Sequence, residues 1–540
     1  MKNISQYRLI LFSALFFTLF HNFAFFKNVI KVYEFSGENI PFILSMGVVL
    51  FAFILFLITL VSSKYTTKPL LILLLMVCAF TSYFMNTYNV IIDDGMIRNS
   101  LQTNLNESVD LFSFKLVAYV LFLGIIPSFL VYKSKIEYYP FKKELFLKLR
   151  TLIVALVIVV VTILSFNKYY TSFFREHKML RLYTNPPFWI YSLGKYVNKT
   201  YNNKPIKLTL LGQDAKIADE KDDDNKEKLE LVIMVVGEAA RADRFSLNGY
   251  GRETNPLLKK EDIINFSNIY SCGTSTAESV PCMFSIFNRA DYDYKKGVTT
   301  ENIVDVLTNT NDIQVLWRDN NSDSKGVALR VDYEDYRTHK NNTICDGDEC
   351  RDEGMLVGLD AYIKNHKGKD ILIILHQMGN HGPAYYKRYP KAFEKFTPVC
   401  KTNQLEECTQ EEIGNAYDNA ILYTDYFLSK VIKFLKPYSK EYETGMIYMS
   451  DHGESLGENG IYLHGLPYFM APEAQKHIGA LMWFGGEAML EDIDVNKLKS
   501  YENETFSQDN LFHTLLGVFE VETTVYNPKM DILHNASKKK

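Results

Sequence analysis

Leu229-Glu-Leu-Val-Ile-Met-Val-Val-Gly-Glu238 decides the fold. A nearly continuous apolar run closed by a glycine and a carboxylate fits a strand buried on both faces, the mark of an α/β domain with a parallel sheet. Ligands of such sheets sit beyond the carboxyl ends of the strands, and Glu238 falls there. The pattern recurs. Asp370-Ile-Leu-Ile-Ile-Leu375 runs into His376-Gln-Met-Gly-Asn-His381-Gly-Pro, and Thr444-Gly-Met-Ile-Tyr-Met-Ser450 runs into Asp451-His452-Gly-Glu454. Three strands therefore deliver Glu, His and Asp-His to one rim. Carboxylates with imidazole are what zinc or manganese accepts. Any one of these residues alone is more often a cap or a surface hydrogen-bonder. The Asp451–His452 pair is harder to dismiss, because Gly453 suggests backbone held tightly around it.

A nucleophile is offered by Cys272-Gly-Thr-Ser-Thr-Ala-Glu-Ser-Val-Pro-Cys282, a short loop enclosing Thr274, Ser275, Thr276 and Ser279. A hydroxyl attacks at neutral pH only where a metal or base lowers its pKa, and such a loop placed over the metal would supply that. Residue chemistry does not choose among the four hydroxyls. At least one is expected to cap a helix over residues 279–287.

Upstream, the chain changes character. Residues 41–63, 69–92, 117–132 and 151–167 contain no Asp, Glu, Lys or Arg. A bilayer core takes roughly 20 apolar residues as a helix, and five stretches qualify: about 9–26, 42–61, 70–88, 116–131 and 152–166. A signal peptide is the rival reading of the first, but no small-x-small cleavage site follows it. Lys133, Lys135, Lys142, Lys143, Lys148 and Arg150, with Lys64, Lys68, Lys2 and Arg8, mark the cytoplasmic side. The loop after the third span holds Asp93, Asp94, Glu107 and Asp110 against Arg98 and belongs outside. Five crossings from a cytoplasmic N-terminus put everything past the fifth span on the far side.

Whole-chain averages hide this segregation. At 540 residues, 47% hydrophobic and 23% charged with net charge −4, they exclude a disordered chain, a collagen-like repeat and a basic nucleic-acid binder. The expected division is a transmembrane domain over 1–167, an interfacial connector and linker over 168–228, and a catalytic α/β domain over 229–540. Residues 168–201 are rich in Tyr and Phe, with Trp189 after Pro186–Pro187. They suit either the lipid headgroup zone or packing against the soluble domain. The Asp- and Lys-rich run 219–228 has no apolar face and reads as a solvated linker.

Cysteine usage agrees with an extracytoplasmic domain. Cys78 lies within a span; the other six fall in the soluble part as Cys272/Cys282, Cys345/Cys350 and Cys400/Cys408. Six thiols allow 15 pairings, but short loops close most readily, which favours neighbour bonds. No pair has C-x₂-C spacing, so disulfides win over a zinc cluster.

Taken together, Val-Val-Gly-Glu238, Arg252-Glu-Thr-Asn-Pro256, the Cys272–Cys282 block, Ser322-Asp-Ser-Lys325-Gly, the 376–386 segment, Ser450-Asp-His-Gly-Glu454 and Asn459-Gly-Ile-Tyr-Leu-His464-Gly-Leu-Pro make the chain resemble a known family. It is similar to the membrane phosphoethanolamine transferases of Gram-negative bacteria, the lipid A-modifying enzymes that include the mobilised colistin-resistance group. The resemblance covers essentially the whole chain. It implies five helical spans, an alkaline-phosphatase/sulfatase-like domain in the periplasm, and residence in the bacterial inner membrane. It also implies that Glu238, Thr276, Asp451 and His452 hold a catalytic Zn2+, with Thr276 both ligand and nucleophile. Lys325, His381 and His464 would surround the phosphoryl group, with His376 nearby. Asn99, Thr103 and Glu107 would contact the lipid headgroup, Ser322 would lie near the substrate, and the neighbour disulfides would hold. One departure is Ala239, where the family pattern has Thr after the Glu.

The expected reaction takes phosphoethanolamine from phosphatidylethanolamine onto Thr276 and then to a lipid A phosphate, weakening cationic peptide and polymyxin binding by offsetting negative charge. A sulfatase would want a Cys/Ser-x-Pro-x-Arg block, which is missing around Thr276. A phosphoglycerol transferase would share the span plan and the Thr, and a metal-stabilised scaffold would show no turnover.

Overall fold

A computed structural model describes residues 3–37, 39–103, 105–201, 208–218, 228–347 and 349–538. The chain forms two compact units: Met1–Arg98 with Phe112–Asn202, and Asn99–Leu111 with Asn203–Lys540. The linker 219–227 lies outside the described residues.

In the helical unit, Ile40–Val61, Thr67–Tyr88, Phe114–Lys133 and Phe141–Ser165 are each long and apolar enough to cross a membrane. The segment expected as a straight first span is instead Gln6–Phe20 and Phe23–Val32, bent by 51°. Side chains answer the backbone at the bend: Asn22 Nδ2 donates to Phe17 O and Asn185 O, while Asn22 Oδ1 accepts from Asn185 N. A break inside an apolar medium is tolerated only where such groups are paired. The last span starts earlier than expected, so Lys142, Lys143, Lys148 and Arg150 ride on the helix rather than in a loop. Lys148 Nζ reaches Leu60 O at 2.8 Å and Ser62 O at 3.1 Å, covering the carbonyl end of Ile40–Val61. The aromatic connector is helical over Asn167–Arg175 and Pro187–Tyr201. Tyr170, Phe173 and Trp189 are buried, and Tyr170 Oη meets Ser45 Oγ at 3.1 Å. These three rings pack inside the helical unit, while Phe174 and Tyr191 are exposed.

The second unit is built on an eight-stranded sheet. In chain order its strands are β1 (Leu229–Gly237), β2 (Ile263–Tyr270), β3 (Ile313–Asp319), β4 (Asp332–Asp335), β5 (Asp370–His376), β6 (Tyr442–Ser450), β7 (His477–Gly485) and β8 (Phe506–Ser507). The spatial order is β8-β2-β7-β6-β1-β5-β3-β4. The run β6-β1-β5-β3-β4 is parallel, and β7 is antiparallel to both neighbours. Alternation along β1 explains its unbroken hydrophobicity. Val232, Met234 and Val236 enter one core with Ile264, Trp317 and Phe512, whereas Leu231, Ile233 and Val235 enter the other with Phe427 and Leu428. Each such buried side chain contributes about 1.5–3 kcal/mol. Phe427 and Leu428 belong to the helix Gln410–Leu435, which starts at a capping box of Thr409 with Glu412.

Register fixes the site. His376 pairs with Val236 and Asp319, and Ser450 pairs with Gly237. The carboxyl ends of β3, β5, β1 and β6 therefore finish level. The six soluble-domain cysteines form the neighbour disulfides Cys272–Cys282, Cys345–Cys350 and Cys400–Cys408.

Candidate active site

Glu238 and Asp451 leave the rim one residue beyond β1 and β6. Gly237 is required there, since a Cβ would lie 2.6 Å from the Tyr448 ring. Gly453 is held as tightly, with a Cβ meeting Ala474 O at 2.1 Å. Asp451 Oδ1 accepts from Ala239 N at 3.1 Å and His452 N at 2.7 Å. Its Oδ2 is buried, accepts no hydrogen bond among the described residues, and stands 3.3 Å from His452 Nε2. His452 Nδ1 lies 2.8 Å from Gly453 O, so its Nε2 faces the two acids, with Glu238 Oε1 at 3.4 Å. Burial lowers the His452 pKa, against the opposing pull of Asp451. A neutral imidazole adds no positive charge between two buried carboxylates, an arrangement that a divalent cation would relieve. Glu238, Asp451 and His452 bring one ligand atom each within 4.8 Å of one another. This donor set fits a divalent metal such as zinc.

The four hydroxyls of the loop differ in their contacts. Thr276 Oγ1 donates to Glu238 Oε2 at 3.1 Å and lies 3.3 Å from His452 Nε2. Thr274 Oγ1 is spent on Leu466 O, and Ser279 Oγ on Asp451 O and Gln508 Oε1. The helix runs over Thr276–Met283, earlier than expected, and Ser275 at its N-cap makes no side-chain cap bond. Thr276 thus occupies the amino end of a helix, where negative charge is favoured.

Around this cluster stand further polar groups. Lys325, on the loop after β3, has φ 51° and sends Nζ to Ser322 O at 2.7 Å; both residues are buried. His464 Nδ1 lies 3.0 Å from Glu454 Oε2, and its ring is 4.3 Å from His452 and 6.0 Å from His381. Desolvation first, and the Arg388 guanidinium next, hold the His381 pKa well below the usual histidine range.

His376, expected beside the substrate, ends β5 fully buried. Its Nδ1 lies 2.9 Å from Asp319 Oδ2, and its ring packs on Trp317. Thr103 Oγ1 bonds to Asn99 O at 2.8 Å, and neither residue hydrogen-bonds to Thr276. The Glu107 side chain lies outside the described residues. Two contributors escaped the sequence reading. Asn321 Nδ2 donates to Glu238 Oε2 at 2.8 Å and to Gln377 O at 2.7 Å, and Glu454 holds His464. Their one signal was position: Asn321 comes after β3 on the same rim, and Glu454 stands two residues past His452.

An α/β sheet with this order and this rim, on a chain with helices long and apolar enough to span a membrane, defines a membrane-bound protein of the sulfatase class. A sulfatase family profile matches residues 230–521, and a phosphoethanolamine transferase EptA/EptB profile matches residues 50–201. Phosphatidylethanolamine transferase Mcr-1 of Escherichia coli is 43% identical over 530 residues, covering 96% of each chain. The integral membrane lipooligosaccharide phosphoethanolamine transferase A of Neisseria meningitidis superposes with TM-score 0.94 at 35% identity, covering 99% of this chain and 100% of that one. The C-terminal periplasmic domain of phosphoethanolamine transferase EptC from Campylobacter jejuni matches with TM-score 0.53 at 42% identity, over 60% of this chain and 97% of its own. The chain belongs to the phosphoethanolamine transferase family.

Proposed function

We propose that this protein moves phosphoethanolamine from phosphatidylethanolamine to a lipid A phosphate through an ester on Thr276. The observation that carries the reading is the contact of Thr276 Oγ1 with both Glu238 and His452, which none of the other hydroxyls in its loop makes. Zn2+ held by Glu238, Thr276, Asp451 and His452 would supply positive charge that lowers the hydroxyl pKa and steadies the phosphoryl oxygens.

Thr276 Oγ1 attacks the donor phosphorus in line with the diacylglycerol oxygen; one P–O bond forms as the other breaks. The hydroxyl proton has an acceptor 3.1 Å away in Glu238 Oε2. His464, with Nδ1 held by Glu454, delivers a proton from its other ring nitrogen to the departing diacylglycerol oxygen. His381 is the weaker donor, because desolvation and Arg388 oppose its protonation. Lys325, with Nζ donating to Ser322 O, supplies positive charge to the phosphoryl oxygens. A lipid A phosphate oxygen then attacks the ester, and Thr276 leaves and regains its proton.

Charge-free spans, basic flanks and the disulfides support residence in the inner membrane with the α/β domain in the periplasm. The added primary amine offsets lipid A charge and lowers polymyxin binding. The test is incubation of the purified chain with labelled phosphatidylethanolamine. Diacylglycerol should accumulate and intact mass should show phosphoethanolamine on Thr276, both lost in Thr276→Ala. An adduct on Thr274 or Ser275 would refute the nucleophile, and release of a different headgroup would refute the donor.

A further inference from the structure

Arg388 is almost fully buried. Its guanidinium reaches three acceptors. Nε donates to His381 O at 2.8 Å, Nη1 to Glu349 Oε2 at 2.5 Å, and Nη2 to Asp110 Oδ2. Asp110 is buried too, and also receives Lys387 Nζ at 2.5 Å. Asn403 Nδ2 donates to the Asp110 carbonyl at 2.6 Å. Two acids thus balance two bases, with Arg388 and Asp110 buried and Glu349 and Lys387 at the edge of the cluster. A buried guanidinium is stable only with its fork satisfied, and removing one partner leaves an uncompensated charge.

Each arm leads somewhere useful. Glu349 precedes Cys350, so the Cys345–Cys350 hairpin fixes it. Arg351, next in sequence, donates to Lys387 O at 2.7 Å. Asp110 is the penultimate residue of the segment Asn99–Leu111, which runs between the third and fourth spans yet belongs to the same compact unit as the α/β domain. The third arm closes on the backbone of His381, whose own N–H bonds to Met378 O at 3.2 Å. His381 therefore has its amide and its carbonyl both fastened.

We propose that Arg388 is a positioning residue for His381 and that Asp110, supplied from between two membrane spans, holds Arg388 in place. The proposal rests on the reading of His381 as part of the phosphoryl site. Lysine cannot replace the fork, because a single ammonium does not span a carbonyl and two carboxylates in one plane.

The test uses the full chain, purified in detergent, with Arg388→Lys, Asp110→Asn and Asp110→Glu. Diacylglycerol release from labelled phosphatidylethanolamine should show kcat at least tenfold lower in Arg388→Lys and Asp110→Asn, with donor KM changed less than threefold. Asp110→Glu should restore most of the rate. Carbethoxylation of His381, followed by mass spectrometry, should run several-fold faster in Asp110→Asn. Should Arg388→Lys not fold, the Asp110 pair decides. Unchanged kcat, or a loss confined to KM, overturns the proposal, as does an unchanged modification rate. A wild-type chain that releases no diacylglycerol would sink the transferase reading, while the modification rate would still judge the positioning claim.

Discussion

At the scale of single residues, the site is a small set of ligand atoms held by backbone and by neighbours of neighbours. Asn321 is the clearest case. Its amide shares Glu238 Oε2 with Thr276, so it would set which carboxylate oxygen a bound metal meets. Losing such a partner typically costs 10–100-fold in metal affinity. Asn321→Ala should weaken zinc binding by about that factor in chelator competition; affinity equal to wild type would remove Asn321 from the site. Lys325→Ala and His464→Ala should keep their zinc and lose transfer. A zinc-depleted His464→Ala would instead make that histidine a ligand. His513 gives a separate pH effect. Burial lowers its pKa to about 4, and its Nδ1 accepts from Asn527 N at 3.1 Å, a bond only the neutral ring makes. The unfolded chain, with an ordinary value of about 6.5, binds the proton more readily. Stability from this group is full above that value and falls as pH drops toward the folded one, by about 1 kcal/mol at pH 5 once solvent screening is allowed for. Melting temperatures of His513→Gln should depend less steeply on pH between 7 and 5 than those of the wild type; equal slopes would contradict the assignment.

At the scale of elements, apolar continuity predicted the strands but not the loops and helices that succeed them. β1, β5 and β6 were readable because burial on both faces demands an unbroken run. The start of the Thr276–Met283 helix was not, since several hydroxyls in a row of small residues offer competing caps, and Ser275 at the N-cap makes no cap bond. His376 is a related case: a histidine at a strand end has several partners within reach, and here Nδ1 meets Asp319 Oδ2 at 2.9 Å. Elsewhere an ordinary cap is at work. Thr409 Oγ1 accepts from Glu412 N at 3.2 Å while Glu412 Oε2 accepts from Thr409 N at 2.8 Å. Thr409→Ala should lower unfolding free energy by about 1 kcal/mol and leave transfer per folded molecule unchanged. A drop in specific activity would mean the long helix does more than carry the core.

At the scale of the molecule, the chain interleaves its two units: Asn99–Leu111 leaves the helical unit and belongs with the α/β domain. Orientation is testable there. Leu101 is 66% exposed on that segment, and Lys135 is exposed on the basic loop. In cells with a permeabilised outer membrane, an impermeant maleimide should label Leu101→Cys and spare Lys135→Cys. The reverse pattern would invert the topology and place the disulfides in a reducing compartment.

Hydrophobic run length and charge placement, local properties of the chain, determined by themselves that there is a membrane part, a parallel sheet and a rim rich in acids and imidazoles. Cysteine spacing did the same for the disulfides, because short loops lose little entropy on closing. Tertiary structure alone brought Thr276 Oγ1 to Glu238, bent the first apolar segment at Asn22, paired His376 with Asp319, and joined Asp110 to Arg388 across 278 residues. Those outcomes depend on which buried polar group finds a partner, and partners distant in sequence meet only once the sheet and its loops are packed.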